Sequence, residues 1–216
     1  MKILVFDTET TGLPERGASI TDHEKWPYIV QLSYILFDTS LNCIDKCVNE
    51  YVKIPENIEI SEVSQNIHKI TRDVCNSQGK PIKLLLQDFN KTLFRADLIV
   101  GHNISFDKRL MFVECFRNKV KQYFTYYSYG KKTQKPEYCT MKNTIDLCQI
   151  PKINKDNKIY YKYPTLLELY MKLFNDTPQN LHNSLVDIVL TLRCYIKVKY
   201  NVDVFEINQQ VQTLLL

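Results

Sequence analysis

The apolar positions of this chain follow two periods. Residues 2–6 (KILVF) form an apolar run closed by Asp7 and predict a buried first strand. Ile29–Asp38 (IVQLSYILFD) predicts a second strand, and Lys46–Ile54, with its alternating character, a third. These three form an opening meander with Asp7 at the end of the first strand. Residues 61–74 predict a short helix and a turn. Between Ile82 and Phe94 the apolar positions 82, 85, 86, 89 and 93 carry helical spacing. Asp97–Gly101 (DLIVG) predicts another buried strand. A helix follows over about Ser105–Asn118, with Phe106, Leu110 and Val113 inward and Asn103 as a candidate cap. Thr144–Leu147 predicts a short strand, and the lysine-rich stretch 151–164 a loop or hairpin. Pro164 opens a helix at Thr165–Phe174. Asn183–Lys199 predicts a long apolar-faced helix, followed by a tail from 201 to 216 that ends in three leucines. Strands and helices in this order predict a mixed sheet flanked by helices, an α/β domain.

Composition bounds this picture without changing it. The 216 residues fit one domain. There are only 5 glycines, so the turns must be made with little help from glycine. The formal charge of +4 permits a nucleic-acid partner, but the pI of about 8.5 is below the usual basic footprint. Seven cysteines, an odd number without a C-x-x-C pair, argue against a disulfide framework or a zinc cluster. The apolar run at the N-terminus is too short for a signal peptide, and no stretch is long enough to span a membrane. The expectation is a soluble intracellular protein.

Candidate chemistry starts at FDTETTGL, residues 6–13. Residues two apart on a strand project to one face, so Asp7 and Glu9 present two carboxylates side by side. Each raises the pKa of the other, and a divalent cation such as magnesium or manganese removes that penalty. Alone, D-x-E at a strand end is weak evidence: a structural or incidental role is the more ordinary reading, and the TTGLP that follows also reads as a plain turn. Asp107 follows a buried strand and can reach the same sheet edge, although an acid in the first turn of a helix is ordinary. His182 stands just before the long helix and Asp187 one turn inside it. Taken together, these residues suggest a two-metal site for in-line displacement at phosphorus, with the histidine as a general base.

In order and spacing, three segments resemble the DEDDh (DnaQ-like) 3′–5′ exonuclease family, which includes the proofreading epsilon subunit of DNA polymerase III and ribonuclease T. They are FDTETTGLP at 6–14, VGHNISFDKRLM at 100–111 and LHNSLVDIVLTLRCY at 181–195. Weaker echoes are IHKIT at 67–71, where lysine replaces the family's glycine, CTMKNTIDLC at 139–148 and YPTLLELYMKLF at 163–174. The resemblance covers about residues 2–200 and implies a ribonuclease H-like fold with a mixed five-stranded sheet. It makes 1–200 the exonuclease domain and 201–216 a short tail. It also implies two divalent cations, Mg2+ or Mn2+. Asp7 would bridge both, Glu9 and Asp187 would complete the coordination of the first ion, and Asp107 would hold the second, partly through water. His182 would deprotonate the attacking water. The Thr10 backbone would meet the terminal 3′-hydroxyl, and Leu13 would wedge beside the last base. Ile70, with His68 near it, would line the terminal nucleotide pocket. Asn103 either fixes the loop bearing Asp107 or simply caps the helix.

The implied activity is hydrolysis from the 3′ end of single-stranded DNA or RNA, with DNA favoured, to release nucleoside 5′-monophosphates in proofreading or repair. A DNA polymerase or replication partner fits the branch. The short tail favours a self-standing enzyme, or one recruited through its leucines. Residues 119–142 interleave tyrosines with lysines: they either grip a single strand, with bases stacking on the rings, or form an exposed insertion packed over the sheet. Two other readings compete. A haloacid-dehalogenase-type phosphatase conflicts with Glu9 and leaves His182 and Asp187 idle. A non-catalytic nucleic-acid-binding module on the same fold conflicts with the complete carboxylate set.

Overall fold

A computed structural model describes residues 1–215; the side chain of Ser128 and the whole of Leu216 lie outside the described residues. The meander forms as its pattern predicts: β1 (Lys2–Thr10), β2 (Ile29–Asp38) and β3 (Cys43–Lys53) are antiparallel neighbours. Between β1 and β2, His23–Lys25 make one turn of 3-10 helix. Then come α1 (Glu62–His68), α2 (Arg72–Gln78), β4 (Lys80–Pro81) and α3 (Ile82–Arg95). β5 (Leu98–Gly101) pairs parallel with β1 and leads into α4 (Ile104–Arg117). A hairpin of β6 (Thr125–Ser128) and β7 (Lys131–Gln134) follows, then β8 (Glu137–Cys139), α5 (Thr140–Asn143) and α6 (Ile145–Cys148). A second hairpin, β9 (Pro151–Ile153) with β10 (Ile159–Tyr161), precedes α7 (Leu166–Phe174) and the long α8 (Ser184–Tyr200). Two short helices, α9 (Val204–Ile207) and α10 (Gln209–Thr213), end the described chain.

The central sheet has the order β4-β3-β2-β1-β5-β8. It is the expected mixed sheet with a sixth strand added: β4 is two residues long and pairs parallel with the end of β3, too short to leave a periodic signal. The last strand also differs from expectation. Thr144–Leu147 is not a strand, because Thr144 Oγ1 donates to the Thr140 carbonyl and Ile145–Cys148 is helical. The sheet edge is instead Glu137–Cys139, parallel to β5.

Each sheet face is covered, and this gives β2 its uninterrupted burial. Leu4, Phe6, Leu36 and Ile99 pack with α3 and α4 through Leu86, Phe89 and Leu110. Ile3, Val5 and Ile35 pack on the other face against Ile188, Leu192 and Tyr195 of α8. The tail joins this second core: Val204 and Val211 are fully buried, and Leu214 and Leu215 pack beside them. Side-chain amides clasp it to the β2–β3 turn, Asn42 Nδ2 donating to the Ile207 carbonyl at 2.8 Å and Asn208 Nδ2 to the Asn42 carbonyl at 2.6 Å. Leu214 and Leu215 are therefore spent on packing rather than held out for a partner, and Leu216 lies outside the described residues.

The scarcity of glycine is met by asparagine. Asn42, Asn103, Asn157, Asn175, Asn180 and Asn201 all take positive φ, the backbone region that asparagine tolerates better than other side chains. Asn103 (φ 63°) starts α4 in this way, and its side chain makes no capping bond, so backbone shape rather than a cap accounts for it. Among the described residues no helix is long and apolar enough to cross a membrane.

Candidate active site

The carboxylates gather where β1 and β5 end. Asp7 and Glu9 point to one face of β1 by the two-residue period, the face that carries Ile3 and Val5 and receives α8. α8 then supplies Asp187 from its first turn. One carboxylate oxygen from each of Asp7, Glu9 and Asp187 lies within 4.8 Å of the other two. The strand register explains the convergence. Ser33 of β2 stands opposite Asp7, and Gln31 opposite Glu9. The same two residues dock α8: the Ser33 and Ser184 hydroxyls are 2.6 Å apart, and the Ser184 N–H donates to Gln31 Oε1 at 3.3 Å. Asn183 caps the helix, its side chain accepting from the Leu185 N–H.

Asp107 comes from the opposite layer. Thr8 lies between the two acids and projects the other way, toward α4. Its N–H and hydroxyl both donate to Asp107 Oδ1, at 3.2 and 2.7 Å. This fixes the buried carboxylate over the strand end. Thr8, Ser33, Gln31 and Ser184 all position the acids, and the sequence reading passed over them. The alternation that put Asp7 and Glu9 on one face also put Thr8 on the other, which was the available signal for Thr8. The docking pairs needed the β1–β2 register.

Burial makes the charges costly. It pushes Asp7 well above the ordinary carboxylate range, and Asp107, Asp187 and Glu9 push it further. Burial, then the charges of Asp187 and Asp107, raise Glu9 to about 8. Burial raises Asp107 to about 7 against the opposing bonds from Thr8, and raises Asp187 to about 7 against the His182 backbone N–H. Asp187 Oδ1 is buried and has no hydrogen-bond partner among the described residues. Four acids with raised pKa values, one orphaned oxygen and a three-carboxylate cluster fit the donor set of a hard divalent cation, which binds through oxygen.

The remaining candidates surround this cluster. His182 is exposed in the α7–α8 connection, with φ at 68°, one residue before the helix cap. It stands close enough to His68 for its charge to add to the lowering of the His68 pKa. His68 is buried: Nε2 lies 3.1 Å from the Thr10 carbonyl, and Nδ1 accepts from the Ile70 N–H at 3.0 Å. Those roles put the proton on Nε2, and burial lowers the His68 pKa. His68 therefore clasps the α1–α2 turn to β1, with both ring nitrogens engaged. Ile70 packs into a satellite core with Val30, Ile54 and Cys75, 4 % exposed, so its side chain is turned inward. Thr10 is buried at the irregularity that ends β1–β2 pairing, its hydroxyl donating to the Gly12 carbonyl. Leu13 is 82 % exposed just beyond it. Asn103 stands at the entry to α4, two residues after the end of β5.

The basic aromatic segment lies elsewhere. The β6–β7 hairpin enters the sheet at the start of β8, which runs parallel to β5 and β1, so it springs from the end opposite the carboxylates.

A mixed sheet of this order, layered between helices and carrying acids at the end of its first strand, defines a ribonuclease H-like α/β domain. The chain belongs to the RNase_T exonuclease family, whose model matches residues 4–195; this is the DEDDh, DnaQ-like class of 3′–5′ exonucleases. No curated protein sequence matches the chain. The fold is similar to that of E. coli exonuclease I in complex with a dT13 oligonucleotide, at 17% identity and TM-score 0.67 over 93% of this chain and 42% of that one. It is likewise similar to the zinc-bound form of the E. coli exonuclease I–single-stranded DNA complex, at 17% identity and TM-score 0.64 over 95% and 42%. A 3′-exonuclease that recognises the 3′ end of a histone mRNA stem-loop matches at 14% identity and TM-score 0.63, over 91% of this chain and 63% of that one. The chain thus spans about two fifths of exonuclease I, and these likenesses establish the fold.

Proposed function

We propose that this chain removes nucleotides one at a time from the 3′ end of single-stranded nucleic acid, with DNA preferred, releasing nucleoside 5′-monophosphates. The observation that carries this reading is the meeting of Asp7, Glu9 and Asp187 within 4.8 Å at the end of β1, on the fold of an exonuclease family. Asp7, Glu9 and Asp187 would hold one Mg2+ or Mn2+ ion, and Asp107 with Asp7 a second. Bound there, the cations supply positive charge against the four carboxylates and against the charge that develops at the phosphate.

The chain's own residues do the rest. A ring nitrogen of His182 takes a proton from the water that attacks phosphorus. The phosphorus–oxygen bond to the penultimate nucleotide's 3′-oxygen breaks, leaving a new 3′ end and a 5′-monophosphate. Exposure of His182 gives it access to water, and the docked start of α8 sets its distance from Asp187. Leu13 packs against the last base, and the Thr10 backbone, held by His68, meets the 3′-hydroxyl. Asn103 shapes the turn that aims Asp107. The likeness to structures solved with single-stranded DNA supports trimming of DNA ends in replication or repair, whether alone or beside a polymerase.

The test is a 5′-labelled single strand incubated with Mg2+ or Mn2+, beside Asp7→Ala and His182→Ala. Stepwise shortening by the parent, abolished in Asp7→Ala and strongly slowed in His182→Ala, is the expected result. Absence of metal-dependent shortening by the parent overturns the reading. A matched RNA strand in the same assay decides the sugar preference, because contact to the 2′-hydroxyl separates the two.

A further inference from the structure

One face of the molecule carries a cationic groove that the chemistry above does not use. α3 runs along it, and the segment from Lys119 to Tyr123, leaving α4, descends beside α3. Asn90 of α3 ties the two together, its Nδ2 donating to the Lys121 carbonyl at 2.9 Å. Between them lies a groove of about 460 Å3, lined by Lys91, Lys119, Lys121, Phe94 and Tyr123 with polar neighbours. No carboxylate lines it among the described residues. The ion pairs nearby engage other lysines, Lys46 with Asp88 and Lys108 with Glu137, while the three groove lysines stay exposed. Phe94 and Tyr123 form a ring pair at 4.4 Å, and Phe94 is more than half exposed.

Two extensions give the groove direction. Downward it meets the β6–β7 hairpin, where Tyr127 and Tyr129 are exposed beside Lys131 and Lys132. Upward, Lys119 also lines a larger cleft of about 930 Å3, of mixed charge, which includes Tyr28, Lys53 and Lys83 together with Glu24, Glu56 and Glu114. The Tyr28 carbonyl accepts from the Thr11 N–H, two residues beyond Glu9. The surface therefore runs from the hairpin along α3 toward the strand end that carries the acids.

We propose that this groove is a second, non-catalytic binding site for single-stranded nucleic acid, holding the part of the strand that lies 5′ of the end being cut. Lysines in a groove that no carboxylate lines suit a phosphate backbone, and exposed rings offer faces on which any base stacks. An acidic peptide would use the lysines but leave the rings without a matching partner. The proposal rests on the single-strand nuclease reading, and its consequence is length dependence: long strands bind through both sites, short ones through the catalytic site alone.

The experiment measures binding by fluorescence anisotropy, using the full chain carrying Asp7→Ala to prevent cutting. The probes are 5′-fluorescein oligothymidylates of about 6 and about 30 nucleotides. The expected result is at least tenfold tighter binding of the longer strand. Lys91→Glu with Lys121→Glu should remove that advantage while leaving the short strand's Kd unchanged. Phe94→Ala should weaken only the longer strand. Losing two phosphate contacts should flatten the log–log salt dependence for the long strand by about 1.4, at about 0.7 per contact. Lys91→Gln with Lys121→Gln should act in the same direction, and the double arginine variant should keep the advantage, which separates charge from misfolding. Equal binding of the two lengths by the parent overturns the proposal, as does loss of both to the same extent. Displacement of the long strand by polyglutamate as readily as by unlabelled oligothymidylate also overturns it, in favour of an acidic protein partner. With the Asp7 carboxylate intact, shortening of the 6-mer should be the same in the groove variants and the parent. If the parent shortens neither strand, the nuclease reading fails, whatever the anisotropy says.

Discussion

Thr8 holds Asp107 twice, through its backbone N–H and its hydroxyl, although the two residues are 99 positions apart in the chain. The hydroxyl bond at 2.7 Å opposes the burial that drives the Asp107 pKa up. Thr8→Val keeps the shape and removes the hydroxyl. It should lower metal-supported activity by about tenfold to hundredfold, the usual effect of losing an outer partner of a metal ligand. Titration of activity against Mg2+ or Mn2+ checks this: the half-saturating concentration should rise. An unchanged titration would show that Thr8 does not position Asp107.

Ser184 is the corresponding anchor on the other face. Its hydroxyl meets Ser33 and its N–H meets Gln31, the two β2 residues opposite Asp7 and Glu9. Ser184→Ala should cost about 1 kcal/mol in urea unfolding, one net hydrogen bond. It should also weaken divalent-cation binding, because α8 carries Asp187. A loss of stability with unaltered cation affinity would separate the helix anchor from the site.

Without cations the site should make stability depend on pH in an unusual direction. Glu9 is raised to about 8 and Asp107 and Asp187 to about 7, against an ordinary carboxylate value near 4 in the unfolded chain. Between those limits the folded protein binds more protons than the unfolded one, so stability falls as pH rises. The contribution is fully present below about pH 4 and is lost by about pH 8. In chelator, the melting temperature should therefore drop from pH 5.5 to pH 8.5. Added Mg2+ or Mn2+ should raise it far more at pH 8.5 than at pH 5.5, since the cation binds the ionised acids. A chelated protein that melts higher at pH 8.5 than at pH 5.5 would contradict the arrangement.

Arg117 secures the far end of α4. Its Nη1 donates to Glu114 Oε1 at 2.7 Å and to the Pro27 carbonyl at 2.9 Å, its Nη2 to the His23 and Trp26 carbonyls, and its plane lies 3.9 Å from the Tyr28 ring. Glu114 is buried, and burial raises its pKa against the pull of Arg117. Arg117→Ala leaves that acid unpaired and should cost about 3–5 kcal/mol in denaturant unfolding. Adding Glu114→Gln should recover part of the loss. A single substitution that costs under about 1 kcal/mol would mean the pair is not a structural tie.

The long elements were legible in the sequence because their burial is regular. β1, β2 and β5 read as apolar runs, and α3 as a helical stripe. The acids were legible as motifs at element ends. What escaped was short or depended on pairing. β8 is three residues long, with Cys139 buried and Tyr138 half-buried, while most of the more apolar Thr144–Leu147 belongs to the helix Ile145–Cys148, whose entry is held by the Thr144 hydroxyl on the Thr140 carbonyl. β4 exists only through its pairing with β3. Thr8, Ser33, Gln31 and Ser184 carry no special chemistry of their own; register alone makes them neighbours of the acids. His68 was recognisable as a motif residue, but it is the packing of the α1–α2 turn on β1 that brings its two ring nitrogens to Thr10 and Ile70.

The docking of α8 has a consequence for how the acid cluster comes into being. Asp7 and Glu9 stand 180 and 178 positions before Asp187 in the sequence, so the three carboxylates meet only when α8 has packed on β1. An unfinished or prematurely terminated copy retains the first two acids but has no third to bring against them. The three-acid cluster is thus a product of tertiary packing alone, and any state in which α8 has come away from the sheet has lost it.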